Sequence, residues 1–315
     1  MKRVIMSVVY SVLLSTGSAP AQPQPAALQT ARSLLATDKV QEAETTVRTY
    51  LSENPSSVEG HFLLGDILFR EERARESLAE FTAGAKLERP GPRELKTVAS
   101  DYVLLGDLED ADKWFSVVTR DTPNDPEAWY LLGRTKYNEN RFAEAINSFE
   151  RVLVLRPRDV QAEDNLGLSQ QGLGHTDLAK GAFENAIAWQ GSTPVDAQPL
   201  LNIGILLTDQ GELAGAVEQL EKAAALAPDN PKIHEELGRA LQAKGDIEGA
   251  QVQLERAVKL APNAAGLHFK LGQIYRRRGL NERAQQEFAI CAKLNGAHSS
   301  TEVPNPFSPT KPTQH

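Results

Sequence analysis

A single cysteine, Cys291, occurs in 315 residues. A lone thiol cannot close a disulfide within its own chain, nor supply the several thiolates of a structural zinc site. Aromatic residues are scarce too, at 6%, which suits a soluble helical protein built from Ala and Leu. Basic charge is short: 34 Lys and Arg stand against 42 Asp and Glu, a formal charge of −8. That balance argues against nucleic acid as a partner, because neutralising phosphates needs a basic surface. No apolar run reaches the roughly 20 residues of a membrane-spanning helix. No Ser-His-Asp order, Gly-rich phosphate loop or Walker sequence is present, so no catalytic or cofactor-binding residue is nominated.

The first 21 residues read as an address. Lys2 and Arg3 precede a mostly apolar stretch from Val4 to Leu14, and small residues close on Ala19-Pro20-Ala21. This is the layout of a secretory signal peptide cleaved after Ala21, with a retained signal anchor as the alternative. Position 22 is Gln, not the Cys that bacterial lipoprotein anchoring requires. The expected mature chain is exported, free of a membrane span, and carries −10 once Lys2 and Arg3 have left. Asn54-Pro55-Ser56 is no usable glycosylation sequon. A periplasmic or extracellular location is expected, bacterial in preference to eukaryotic.

What the chain does have is a period. Pro123 and Pro157 are 34 residues apart, as are Pro228 and Pro262. Leu132-Gly133 and Leu166-Gly167 share that interval, and so do Ile203-Gly204, Leu237-Gly238 and Leu271-Gly272. A three-residue insertion near 191–196 separates the two series and is expected to change the pitch locally. Within 126–159 the apolar positions Trp129, Leu132, Tyr137, Ala145, Phe149 and Val152 mark two amphipathic helices, broken at Asn138-Glu139-Asn140. Gly133 and Ala145 are small so that the helices can cross closely, and Pro157 stops the second helix.

This pattern resembles the tetratricopeptide repeat (TPR). Eight units are expected, at 24–57, 58–91, 92–125, 126–159, 160–193, 197–230, 231–264 and 265–298. A disordered Pro-rich tail should follow at 299–315. The first unit departs from the pattern with Thr30-Ala31 in place of Leu-Gly, and the second has Ser77 where Ala is usual. The resemblance implies an all-α fold, a right-handed superhelical solenoid with the first helix of each unit lining the inside.

Reading the inner-face positions gives a candidate partner-binding groove: Phe62, Asp66, Phe69, Lys96, Tyr130, Arg134, Tyr137, Asn138, Gln171, Arg239, Phe269, Gln273 and Arg276. Rigid rings on such a face give contact area at little entropic cost. His61, His234 and His268 fall in one slot of their units, whole repeats apart, and read as packing residues, so no metal site is nominated. Cys291 occupies the slot of Ala186, Ala223 and Ala257 and reads as a small buried contact. Arg276-Arg277-Arg278 reads first as cations at a helix C-terminus and second as a basic groove rim.

The function expected from this sequence is a non-catalytic, exported scaffold binding a peptide or partner protein in the groove, for envelope assembly or secretion. The alternatives are a regulatory or targeting subunit of an envelope enzyme, or a self-assembling structural protein.

Overall fold

The computed structural model describes residues 25–192 and 194–299, with side chains through 296. The leader at 1–21 and the stretch 300–315 lie outside the described residues. Within them the chain forms sixteen α-helices and no strand, in two compact units that divide between Leu105 and Gly106. The division falls inside the 92–125 repeat.

The first unit holds α1 (Ala26–Ala36), α2 (Val40–Glu53), α3 (Val58–Arg70), α4 (Ala74–Ala85) and α5 (Pro92–Leu104). The second unit begins with α6 (Leu108–Asp121), α7 (Pro126–Asn138), α8 (Phe142–Leu155), α9 (Val160–Gly172) and α10 (Thr176–Trp189). It continues through α11 (Gln198–Gln210), α12 (Leu213–Leu226), α13 (Pro231–Lys244), α14 (Ile247–Leu260), α15 (Ala265–Arg277) and α16 (Asn281–Ser299). Within each unit odd and even helices pair as hairpins, α3 with α4 and α7 with α8 for example, and each even helix packs on the next odd one. The first helices also neighbour one another, α3 with α5 and α7 through α13 in succession.

Local sequence explains the helix ends. Asp125, Asp159 and Asn230 cap α7, α9 and α13 by accepting backbone N–H bonds, and Pro126 and Pro231 sit in the first turn, where no N–H is needed. The turn inside every unit needs one left-handed residue. Glycine supplies it at Gly106, Gly174, Gly211, Gly245 and Gly279, whereas Asp38, Glu72 and Asn140 adopt it at φ of 58–59°.

The core repeats with the same logic. Phe81, Phe115, Phe149 and Phe183 are buried at equivalent positions of the second helices, and Leu220 and Leu254 replace them further on. A Cβ on Gly133 would lie 2.7 Å from the Phe149 ring, and one on Gly65 2.8 Å from Phe81. The small residue of each Leu-Gly pair therefore makes room for that ring or leucine. The closing prolines have a further use. His61, His234 and His268 place Nε2 at 3.0, 2.8 and 2.9 Å from the carbonyls of Pro55, Pro228 and Pro262, and Trp129 donates Nε1–H to the Pro123 carbonyl at 3.0 Å. In these four repeats the slot latches the first helix to the turn before it.

Ion pairs tie successive units together. Arg73 reaches back to Glu44 at 3.0 Å, and Arg141 to Asp112 at 2.6 Å, two repeats later at the same positions. At the next such interface but one the polarity is reversed: Lys180 on the earlier unit meets Glu212 on the later, at 3.0 Å. At the inserted joint, the Gln190 amide oxygen accepts from the backbone N–H groups of Val195 and Asp196, and its Nε2 donates to the Asp196 carbonyl.

Cys291 is only half-buried, whereas Ala186, Ala223 and Ala257 in its slot are fully buried. The expectation of a buried contact is corrected here. Among the described residues no further repeat follows the hairpin α15–α16 to cover it.

Candidate functional site

In the first unit the first-helix side of α1, α3 and α5 carries a cleft of about 440 Å³. Val58, Phe62 and Leu63 contribute apolar surface, and Arg32, Asp66 and Arg93 stand around it, one residue from each first helix. Phe62 is held from behind by Phe81, ring centroids 5.9 Å apart. Its ring also fills the space beside Gly84, where a Cβ would come within 2.4 Å. Asp66 pairs with Arg93 and accepts from Thr97 Oγ1 at 3.3 Å. Burial nevertheless pushes its carboxyl above the usual range, against the pull of Arg93 and Thr97. Arg32 forms an ion pair with Glu59 at 2.7 Å. An adjoining hollow brings Arg70 beside Asp66 and Arg93. Lys96 and Phe69 are half-buried on the same helices.

Sequence reasoning missed Arg32 and Arg93, although the inner face takes the second, fifth, ninth, twelfth and thirteenth residues of each repeat, and Arg32 is ninth in its repeat and Arg93 second in its own. The repeats that hold them have Thr30-Ala31 and Val98-Ala99 in place of the Leu-Gly landmark.

The second unit spreads its candidates along α7, α9, α13 and α15. Arg134 and Asn138 are exposed, and Tyr130, Tyr137 and Gln171 are half-buried. Tyr130 leans on Phe149 at 5.9 Å and its hydroxyl accepts from Asn165 Nδ2 at 3.3 Å. Tyr137 packs on Phe142 at 5.5 Å, and Phe142 in turn fills the space beside Gly172 of the next repeat. Each tyrosine thus shows one edge to solvent and is fixed by the other. Arg239 is committed to Asp209 at 2.7 Å and Glu236 at 2.6 Å. Phe269 and Arg276 are exposed and Gln273 half-buried, all on α15.

Between these groups the face is closed. Asp164, fifth in its repeat and so on the inner face by count, and Asn202, just beside that face, are 4% and 5% exposed and bonded to each other at 2.9 and 3.0 Å. Burial pushes the Asp164 carboxyl up to about 7, with Asp196 adding to the shift and the Asn202 amide opposing it. Among the described residues, His, Cys, Asp and Glu form no group of three placed to hold a metal ion, and no helix is long and apolar enough to cross a membrane.

Models of the tetratricopeptide repeat match residues 28–92 and 126–159, and a TPR repeat model matches 204–245 and 238–279. Mouse (Mus musculus) protein O-mannosyl-transferase TMTC1 is 27% identical over 153 residues, 48% of this chain but 16% of the relative. The chain therefore spans less than a fifth of that relative's length. A tetratricopeptide repeat protein from Parabacteroides merdae superposes with a TM-score of 0.66 at 19% identity, over 79% of this chain and 97% of that one. PilW, a type IV pilus biogenesis factor, gives 0.58 at 21% identity, over 67% and 95%. The repeat spacing, the succession of helical hairpins and these matches together make the chain a member of the tetratricopeptide repeat family.

Proposed function

We propose that this chain is an exported, non-catalytic scaffold that holds a peptide segment or partner protein against its first helices, in envelope assembly or secretion. The observation that carries this reading is the cleft of the first unit, with an aromatic ring on its floor and charged groups from three consecutive first helices on its walls. Anchor side chains of a peptide need that combination of a rigid apolar surface and a polar rim that fixes orientation. The half-buried tyrosines of the second unit offer the same kind of surface, since their supports are already in place and little side-chain freedom is lost on contact. The charged clusters pair with one another, as structural ion pairs do, which favours binding over catalysis.

A photo-crosslinking residue at Tyr130, Arg134 or Arg93, introduced into the protein in its native host, tests this. Crosslinks to a discrete partner from these positions, and none from the exposed sites Val154 and Val252, are expected. The reverse distribution overturns the reading. Export is tested separately by sequencing the N-terminus of the mature protein, where Gln22 is expected first.

A further inference from the structure

We propose that the first-helix face of the last hairpin, α15–α16, docks an acidic peptide segment carrying one apolar side chain. The proposal rests on the reading that partners meet the first helices, and names the chemistry one end of that face would select. Phe269, Gln273, Arg276 and Arg277 follow one another at i, i+4, i+7 and i+8, and so share one side of α15. Phe269 is 48% exposed, the most exposed ring among the described residues, whereas Phe81, Phe115, Phe149 and Phe183 are fully buried. It is not loose: its centroid lies 5.7 Å from that of Phe288, and the Arg276 guanidinium sits 5.7 Å from the same Phe288 ring. One half-buried ring therefore fixes both an apolar anchor point and a cation beside it.

The charge around this point is unbalanced in a definite direction. On the neighbouring α13, Glu235 is met by Lys232 and Lys270, and Glu236 by Lys232 and Arg239. Arg239 also holds Asp209. The acids of this stretch are thus already matched. Arg278, third in the basic run, turns away to Gln251 at 2.7 Å and Glu248 at 3.2 Å. Arg276 and Arg277 have no carboxylate partner among the described residues, and they leave local positive charge on a chain whose formal charge is −8. A ligand that covers Phe269 with an apolar group and brings carboxylates to these two arginines completes the pattern. A basic ligand would meet cations with no acid left to receive it.

The test uses the full chain and three fluorescent peptides of equal length: an Asp/Glu peptide with a central Leu, the same peptide with Ala for Leu, and a Lys peptide with the Leu. Fluorescence anisotropy should rank the acidic Leu peptide tightest, and added salt should weaken it. Arg277→Glu should weaken it about tenfold, as loss of a charge match combined with a like-charge contact does. Phe269→Ala should bring it down to the level of the Ala peptide. Arg278→Gln, which removes a neighbouring charge from a different side, should leave it within about twofold. Equal binding of acidic and basic peptides, no effect of Arg277→Glu, or an equal loss with Arg278→Gln overturns the proposal. So does a dimer of the wild type that Arg277→Glu dissociates, because a second copy is then the occupant. Arg277 is exposed and has no carboxylate partner among the described residues, so its variant, shown folded by its thermal melt, reads binding even if Phe269→Ala destabilises the hairpin. Partner crosslinks from Tyr130 together with failure here would sink this proposal and leave the broader reading intact.

Discussion

The Ser77 hydroxyl, with one proton to give, faces two acceptors, the Asp101 carboxyl and the Gly65 carbonyl. Ser77 Oγ lies 2.6 Å from Asp101 Oδ2 and 3.0 Å from the Gly65 carbonyl, with both side chains fully buried. A serine donates once, so both contacts are hydrogen bonds only when Asp101 itself carries a proton and donates to Ser77. The other carboxyl oxygen, Oδ1, has no partner. Burial pushes this carboxyl up to about 6, the charge of Asp66 adding to the shift and the Ser77 bond opposing it.

The sign of the pH dependence follows. The folded value lies above the ordinary 3.8, so the stability this group contributes is full below about pH 4 and is lost as pH rises through 6. The loss amounts to at most about 3 kcal/mol. Asp101→Asn should raise the melting temperature at pH 7.5, and the gain over wild type should shrink towards zero at pH 4. Thermal melts of both proteins across that range check it, and a gain independent of pH would refute the protonation argument.

Glu72 holds the left-handed turn position at φ 58° where five other units use glycine. The conformation costs an ordinary residue about 1 kcal/mol, partly repaid because glycine has more freedom to lose on folding. Glu72→Gly should therefore stabilise the first unit by a few tenths to about 1 kcal/mol, measured by denaturant unfolding. Gly106→Ala should do the opposite, as its φ of 77° lies in the left-handed region that strains any residue with a Cβ.

Gly133→Ala should destabilise by about 1–3 kcal/mol, the usual cost of overpacking. The new methyl would meet Phe149 at 2.7–3.0 Å. Phe149→Leu in the same chain should recover part of the loss, since Leu220 and Leu254 already stand opposite Gly204 and Gly238. A double-mutant cycle with no coupling would show that the ring is not what excludes the methyl.

Arg141 bridges Asp112, Glu139 and Glu144 at 2.6–2.9 Å. The Asp112 carboxyl is held below its usual range by Arg141 and Lys136, against the pull of burial. Arg141→Met should cost about 1–2 kcal/mol because it leaves partly buried carboxylates crowded together. Lys180→Met, breaking a more exposed pair, should cost under about 0.5 kcal/mol. Unfolding in low and high salt distinguishes them: added salt should erase most of the Lys180→Met effect, an exposed pair being readily screened, and leave most of the Arg141→Met effect in place.

The repeat was legible because its landmarks are steric. Only glycine fits against Phe149, and only a residue that ends helices fits at Pro157, so spacing alone betrayed sixteen helices. The candidate faces were legible in position but not in availability. Asp164 falls on the inner face by count, yet it is buried because Asn202, in a repeat displaced by the insertion, reaches it across the joint. The three basic residues at 276–278 look alike in sequence. Their division into one committed and two uncommitted arginines depends on where Glu248 and Gln251 lie on α14, which a one-dimensional pattern does not carry. Histidines 61, 234 and 268 were recognised as packing residues, but their bonds to the proline carbonyls became visible only in three dimensions.

The reversed polarity of Lys180 and Glu212, set against Glu44 with Arg73 and Asp112 with Arg141, bears on how near-identical modules find their proper neighbours. A chain of similar hairpins can dock out of sequence while it folds, skipping a unit or pairing with the wrong copy. Here the unit bearing Glu212 would set acid against acid if it settled on the unit bearing Asp112. The unit bearing Arg141 would set cation against cation on the one bearing Lys180. The charges that clasp correct neighbours also repel these two mispairings, so the order of the modules is written into the surfaces that join them.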